Sequence, residues 1–274
     1  MAKSRPNRKV SMDNAIWATP RNITNLEECD FYHTMDLPNH GVVTGAWDLR
    51  GREAAYLGNV DVAGKRVLEV GTASGHLCFA MEKMGASVVG FDLSDEQQWD
   101  VVPYHRAETK DYVVQRRNHI RRLNNSYWFA HRALGSSAKV VYGTVYEIPD
   151  DIGQFDICTF GSILLHLRDP FLALQRVLAH VQDTVIVTDT ASGVGVRSLA
   201  YRMMNLVESV TGVRLLRFLP NAKARSPLDA WWTLTPALVS EFLQVLGFPN
   251  TTATFHRQLH QNQEILLFTV VGRR

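Results

Sequence analysis

The heptapeptide Glu69-Val70-Gly71-Thr72-Ala73-Ser74-Gly75 follows an apolar run and leads into Leu77, Ala80, Met81 and Met84, a helical spacing that Gly85 closes. Strand, glycine-bearing turn and helix in that order make a cradle, because Gly71 and Gly75 bring no Cβ into the space a ligand would fill. Asp92 ends the next apolar run, 21 residues after Gly71, where a carboxylate can accept hydrogen bonds from both hydroxyls of a ribose. A dinucleotide would need glycine where Ala73 and His76 stand, so the pyrophosphate fingerprint is broken. Glu69 points the same way: an anion at the strand end repels a phosphate but pairs with an ammonium. The implied ligand is a nucleoside joined to an amino acid.

Elements that can position such a turn alternate along the chain. Short β-branched runs read as strands at 66–70, 87–92, 139–143, 155–160, 184–189, 251–256 and 265–271, with helix-length segments between them, the pattern of an α/β fold on a parallel sheet. Asp169-Pro170 opens a helix with Phe171, Leu174, Leu178 and Val181 on one face; Thr235-Pro236 opens another that presents Leu238, Phe242, Val245 and Leu246 and stops at Gly247. Two stretches, 94–138 and 190–234, exceed plain connections and read as cap insertions over the carboxyl edge of the sheet. In the second, Leu199, Met203, Leu206, Val207 and Val210 form a stripe that predicts a packed helix. Residues 1–27 read as a flexible basic arm and 28–64 as an N-terminal lid.

Composition narrows the class. With 274 residues and 46% hydrophobic content the chain can bury a core. Its net charge of +2 is too small for bulk attraction to nucleic acid, so an RNA would need a local patch. Cys29, Cys78 and Cys158 are odd in number and widely spaced, which fits neither a disulfide framework nor a metal pair and suits a reducing cytoplasm. No secretory signal or membrane anchor is expected, since the longest apolar stretches are strand-sized.

Glu69 to Gly75 together with Asp92 resemble the class I S-adenosylmethionine-dependent methyltransferases. The resemblance implies a Rossmann-like doubly wound seven-stranded sheet and S-adenosyl-L-methionine as cofactor, with no metal. It implies that Glu69, Gly71, Thr72, Ala73 and Gly75 form the donor turn, with Gly71, Ala73 and Gly75 passing under the methionine moiety. Asp92 and Leu93 would hold the ribose, Val145 and Tyr146 would border adenine, and Phe160, Gly161 and Ser162 would form the wall beside the methyl. Thr144 stands where many members carry an acid. A narrower likeness lies in Phe31-Tyr32-His33-Thr34-Met35-Asp36-Leu37-Pro38, Gly45-Ala46-Trp47-Asp48, Ile163 to Pro170 and Trp231 to Pro236. These resemble the group related to bacterial tRNA wobble-uridine carboxymethyltransferase. The basic residues that would read a carboxylated donor have no match, which favours ordinary S-adenosylmethionine.

For the acceptor side, the resemblance folds Tyr32 and His33 over the donor, where His33 is either a base for a hydroxyl or a partner of the lid backbone. His166, at the end of the fourth strand, either touches substrate or is structural. Arg116, Arg117, Arg121 and Arg122 are the densest cationic run. Arg116 alone falls within the apolar stripe there, so it must find a carboxylate, a ligand or the surface. Tyr104, Tyr127, Trp128 and Trp232 complete the substrate candidates, the alternative being aromatic seams that pack the insertions. Methyl transfer to a small molecule, at a hydroxyl, is the expected activity. A tRNA-modifying enzyme and a non-catalytic S-adenosylmethionine-binding protein stand beside it, and no oligomeric state is implied.

Overall fold

The structure, a computed structural model, describes residues 16–105, 108–191 and 199–274. Two short strands, β1 (Met35–Leu37) and β2 (Gly41–Val43), pair as a hairpin, followed by β3 (Trp47–Asp48) and the single-turn α1 (Glu53–Tyr56). Alternation then begins with β4 (Arg66–Val70), α2 (His76–Lys83), β5 (Ser87–Asp92), α3 (Lys110–Leu134), β6 (Lys139–Tyr142), β7 (Phe155–Gly161), α4 (Pro170–Leu178) and β8 (Val181–Thr190). The chain closes with α5 (Leu199–Thr211), β9 (Arg217–Phe218), β10 (Trp232–Thr233), α6 (Pro236–Val245), β11 (Asn250–His260) and β12 (Gln263–Arg273).

The main sheet has the order β3-β11-β12-β8-β7-β4-β5-β6. Strands β4 to β8 run parallel, and β12 returns antiparallel against β8. Being covered on both faces, the central strands are continuous apolar runs: Leu68 and Val70 of β4 enter the core beneath α4 and α6, and Val67 enters the core beneath α2 and α3. The helices start as their sequence signals require, with Asp169 Oδ1 accepting the Leu172 amide at 2.9 Å and Thr235 Oγ1 accepting the Leu238 amide at 3.1 Å. Strand order reverses between β4 and β7, so the turns after those two strands flank the crevice where α/β sheets bind ligands.

All seven expected strands form, and β3 adds an eighth at the edge by pairing Trp47 and Asp48 with His260 and Leu259. Residues 16–27 do not behave as a free arm: the Ala18 amide donates to the Val140 carbonyl at 2.8 Å, and Arg132 Nη1 donates to Asn22 Oδ1 at 2.6 Å. Residues 1–15 lie outside the described residues. The first insertion is a cap only in its opening part, because the C-terminal half of α3 buries Asn124 to Ala130 against the sheet. Tyr127 and Trp128 are therefore core residues and not substrate contacts; Tyr127 packs on Phe79 and the Trp128 indole donates to the Tyr142 hydroxyl at 3.0 Å.

The helix expected from the second stripe forms, but rotated. Leu199, Met203, Leu206, Val207 and Val210 are 37% to 75% exposed, while Tyr201, Met204 and Glu208 face inward. Glu208 turns inward because its Oε1 accepts from the Leu215 amide and the Thr235 hydroxyl, each at 2.8 Å, so a polar anchor and not the apolar stripe sets the face. In α6, Val245 is likewise exposed, with Val239 and Leu243 taking the core positions. No helix among the described residues is long and apolar enough to cross a membrane.

Candidate active site

Glu69, the penultimate residue of β4, and the turn that follows it form the floor of the crevice. Gly71 and Gly75 adopt φ of +81° and +88°, and Ala73 follows them into positive φ at +48°. The strained turn is held by side chains at its two ends. Asp92 Oδ2 accepts the Ala73 amide at 2.6 Å and its Oδ1 accepts the Leu93 amide at 2.7 Å. Glu69 Oε2 accepts the Thr72 hydroxyl at 2.6 Å. Burial pushes the Asp92 carboxyl up to about 6 and the Glu69 carboxyl up to about 8.

Two cavities meet over this floor. A cleft is bounded by Asp92, Leu93, Val145, Tyr146, Trp99 and His166. A narrower space lies among Tyr32, His33, Trp47, Tyr56, Glu69 and Ser162. Gly71 lines both.

The segment 28–48 enters the second cavity by backbone stitching. The Trp47 amide donates to the Tyr32 carbonyl at 3.0 Å, the Thr34 amide to the Trp47 carbonyl at 2.7 Å, and the His33 amide to Ser74 Oγ of the glycine turn at 3.2 Å. The Tyr32 hydroxyl receives the Trp47 indole N–H at 3.1 Å, and Tyr56 and Ser162 hydroxyls lie 3.5 Å apart. His33 is buried, its Nδ1 has no hydrogen-bond partner among the described residues, and desolvation drives its pKa down to about 3. His166, on the short turn after β7, is lowered to about 4 by burial and then by the Arg116 charge. Its Nδ1 contacts the Asp229 carbonyl. A carbonyl oxygen only accepts, so Nδ1 carries the proton and Nε2 keeps a lone pair.

Not every expected site residue reaches the crevice. Gly161 and Ser162 line the smaller cavity, but Phe160 is buried in the core, because strand alternation turns it to the covered face. Gly75 lies over Phe79 and Tyr127, away from both spaces. Arg116 finds a carboxylate: it pairs with Asp229 of the second insertion and sits 4.8 Å over the Trp99 ring. Tyr104 ties the two insertions together, its hydroxyl donating to the Pro227 carbonyl at 3.0 Å, and the Trp232 indole donates to the Arg168 carbonyl at 3.1 Å. Neither lines the two cavities. Sequence reasoning missed Tyr56, which lines the smaller cavity from a single helical turn too short to show periodicity, and the buried Asp189, whose Oδ2 has no partner among the described residues.

Burial of these groups sets a pH dependence. Asp189 is pushed up to about 7 by desolvation, beside Glu69 and Asp92. An acid whose pKa is higher folded than unfolded binds more protons when folded, so stability falls as pH rises between the two values. The lowered histidines act oppositely, but only up to their unfolded value of about 6.5. The melting temperature is therefore expected to fall between pH 6.5 and 8, at up to about 1.4 kcal/mol per pH unit for each responding carboxyl. Glu69→Gln should flatten that limb; thermal scans showing a flat or rising wild-type limb would refute the assignment.

Known proteins fit this geometry. The family described as "Methyltransferase domain" matches residues 48–245. A ubiquinone biosynthesis O-methyltransferase of Shewanella halifaxensis is 28% identical over 160 residues, which cover 58% of this chain and 54% of that protein. Its counterpart from Shewanella pealeana is 29% identical over 114 residues, or 42% and 38% of the two chains. The matched region thus spans about half or less of these curated relatives. Among solved structures, an S-adenosylmethionine-dependent methyltransferase from Methanosarcina mazei superposes with a TM-score of 0.51 at 14% identity, covering 83% of this chain and 98% of that one, a likeness of fold. The glycine turn, the acid closing β5 and the family match over most of the chain lead to one conclusion: the protein belongs to the methyltransferase-domain family of class I, S-adenosylmethionine-dependent proteins.

Proposed function

We propose that the chain transfers the methyl group of S-adenosylmethionine to a hydroxyl of a small-molecule acceptor, with the donor lying across the two cavities. The carrying observation is that Gly71 lines both spaces, between the carboxylates of Asp92 and Glu69. These residues fit the donor. Each Asp92 oxygen accepts one backbone amide and keeps a second lone pair for a ribose hydroxyl, Leu93, Val145 and Tyr146 supply an apolar seat for adenine, and buried Glu69, its carboxyl pushed up to about 8, would ionise against a cation such as the methionine ammonium. Absence of a Cβ at Gly71 leaves room for the chain between them. Gly161 and Ser162 then flank the methyl.

The sulfonium supplies an electrophilic methyl with a neutral thioether as leaving group. The protein's task is alignment, exclusion of water and removal of one proton. Burial keeps His166 neutral, so its Nε2 lone pair is available to take the hydroxyl proton as the new C–O bond forms and the C–S bond breaks. Tyr32 and His33 close the opposite side. The hydroxyl acceptor draws support from the O-methyltransferase names of the curated relatives. Ordinary S-adenosylmethionine is preferred to a carboxylated donor because no cation borders the smaller cavity among its lining residues.

Labelled donor incubated with a small-metabolite extract, beside total tRNA at low and moderate salt, tests the reading. Label is expected in the metabolite fraction. Label in tRNA that is lost on Arg116→Ala and Arg121→Ala would overturn the small-molecule acceptor in favour of wobble-uridine chemistry. Binding of donor with label in neither fraction would overturn catalysis.

A further inference from the structure

Beside the donor cleft lies a second recess that shares Gln98, Trp99 and Asp100 with it and is faced by Arg116, Arg117 and Arg168 among apolar and amide side chains. Arg116 has its carboxylate in Asp229. Arg117 and Arg168 have none among the described residues; Arg168 instead lies 5.1 Å over the Trp231 ring. Asp100, the one acid facing the recess, is already engaged, its Oδ2 accepting the Tyr146 hydroxyl and, at 2.7 Å, the Arg168 amide. A different observation comes from Trp99: its indole N–H is buried without a hydrogen-bond partner among the described residues. Leaving a buried hydrogen bond of this kind unmade is costly, and here the orphan is a donor.

Indole and guanidinium groups donate and never accept. Their complement must be rich in lone pairs and negatively charged, which describes a carboxylate or a phosphate and describes neither an alcohol, an amide nor a cation. We infer that this recess binds an oxyanion carried by the acceptor, so that the substrate of the proposed reaction is an anionic small molecule. The inference rests on the methyl-transfer reading for the word acceptor, but not for the anion. The donor's own carboxylate is not the source, since in that reading the methionine end lies beyond Gly71, next to Glu69. An anchored anion would fix one end of the acceptor beyond Trp99 while its hydroxyl reaches His166, whose ring lies 5.7 Å from the Trp99 ring. Such tethering converts encounter into alignment.

The test uses the full chain saturated with S-adenosylhomocysteine, following the Trp99 indole N–H resonance, assigned through Trp99→Phe. Acetate and inorganic phosphate are titrated at constant ionic strength set by chloride, with acetamide as the neutral control. Saturable shifts are expected with both anions and not with acetamide. Arg117→Gln combined with Arg168→Gln should weaken the anion response at least fivefold. Both side chains are exposed, so the melting temperature and the affinity for S-adenosylhomocysteine should stay unchanged. No saturable shift, an equal response to acetamide, or an unaltered response in the double variant would overturn the inference. Failure of S-adenosylhomocysteine to bind the unaltered protein would instead overturn the donor reading, and the anion titration would still report on the recess. Displacement of phosphate by short RNA but by no small phosphate ester would reassign the recess to a nucleic-acid backbone and overturn the small-molecule class.

Discussion

Gly71→Ala is expected to abolish measurable donor binding in a protein that still folds. At φ +81° an L-residue is strained by about 1–2 kcal/mol. The new Cβ would also stand 2.4 Å from Ile163 Cγ2 and 3.6 Å from Ile163 Cβ. Isoleucine is branched at Cβ and cannot swing that methyl away without leaving its rotamer, so the backbone after β7 must move. The methyl group would also protrude where the two cavities meet. Calorimetry with S-adenosylhomocysteine should show at least a hundredfold loss, about 2.7 kcal/mol, with a melting temperature lower by several degrees. Asp92→Ala removes hydrogen bonds, typically worth about 0.5–1.5 kcal/mol net each, and should weaken donor binding without the steric block. Affinity within threefold of wild type for Gly71→Ala would sink the assignment of this turn.

Gly45→Ala should be the most damaging single methyl for the lid. Gly45 has no unusual φ, so its requirement is purely one of space: a Cβ would lie 2.4, 2.6 and 2.7 Å from the carbonyl carbon, nitrogen and Cα of His33. All three are backbone atoms, which no rotamer change can move aside. The same crossing carries the Gly45 amide to Thr34 Oγ1 at 3.0 Å and the His33 amide to Ser74 Oγ. Overpacking of this kind costs about 3 kcal/mol or more where the neighbours cannot give way. Urea unfolding should register the loss, and hydrogen exchange should show residues 28–48 opening while β4 to β8 stay protected. Unchanged protection of the lid would contradict the close approach.

The parallel core was legible because strands covered on both faces must be continuous apolar runs, and 66–70, 87–92 and 155–160 cannot be read otherwise. The glycine turn was legible for a related reason: positive φ at Gly71 and Gly75 and an acid at the end of β5 are backbone requirements, so they leave a local mark. Side-chain positions decided by tertiary packing left none. Periodicity put Leu199 and Val210 on an apolar helix face, and residue type offered Tyr127 and Trp128 as substrate contacts, but only the fold determines which faces are covered; the first two face outward and the last two are sealed. His166 and Arg116 met through Asp229, a residue with no motif around it. A two-residue strand such as β3 carries too little text to be seen.

The pattern shared across the family begins at Asp48, whereas Tyr32, His33 and Trp47 of the smaller cavity all precede it. One wall of that cavity is thus supplied by a stretch outside the common body and fastened to it through the stretch's own main-chain amides, that of Asp30 donating to Ser126 Oγ and that of His33 to Ser74 Oγ. Main-chain fastening is indifferent to side-chain identity. Such a stretch is an exchangeable cassette: residues 28–47 can be rewritten at Tyr32 and His33 to reshape what the cavity admits, with Gly45 kept as the joint and the glycine turn untouched.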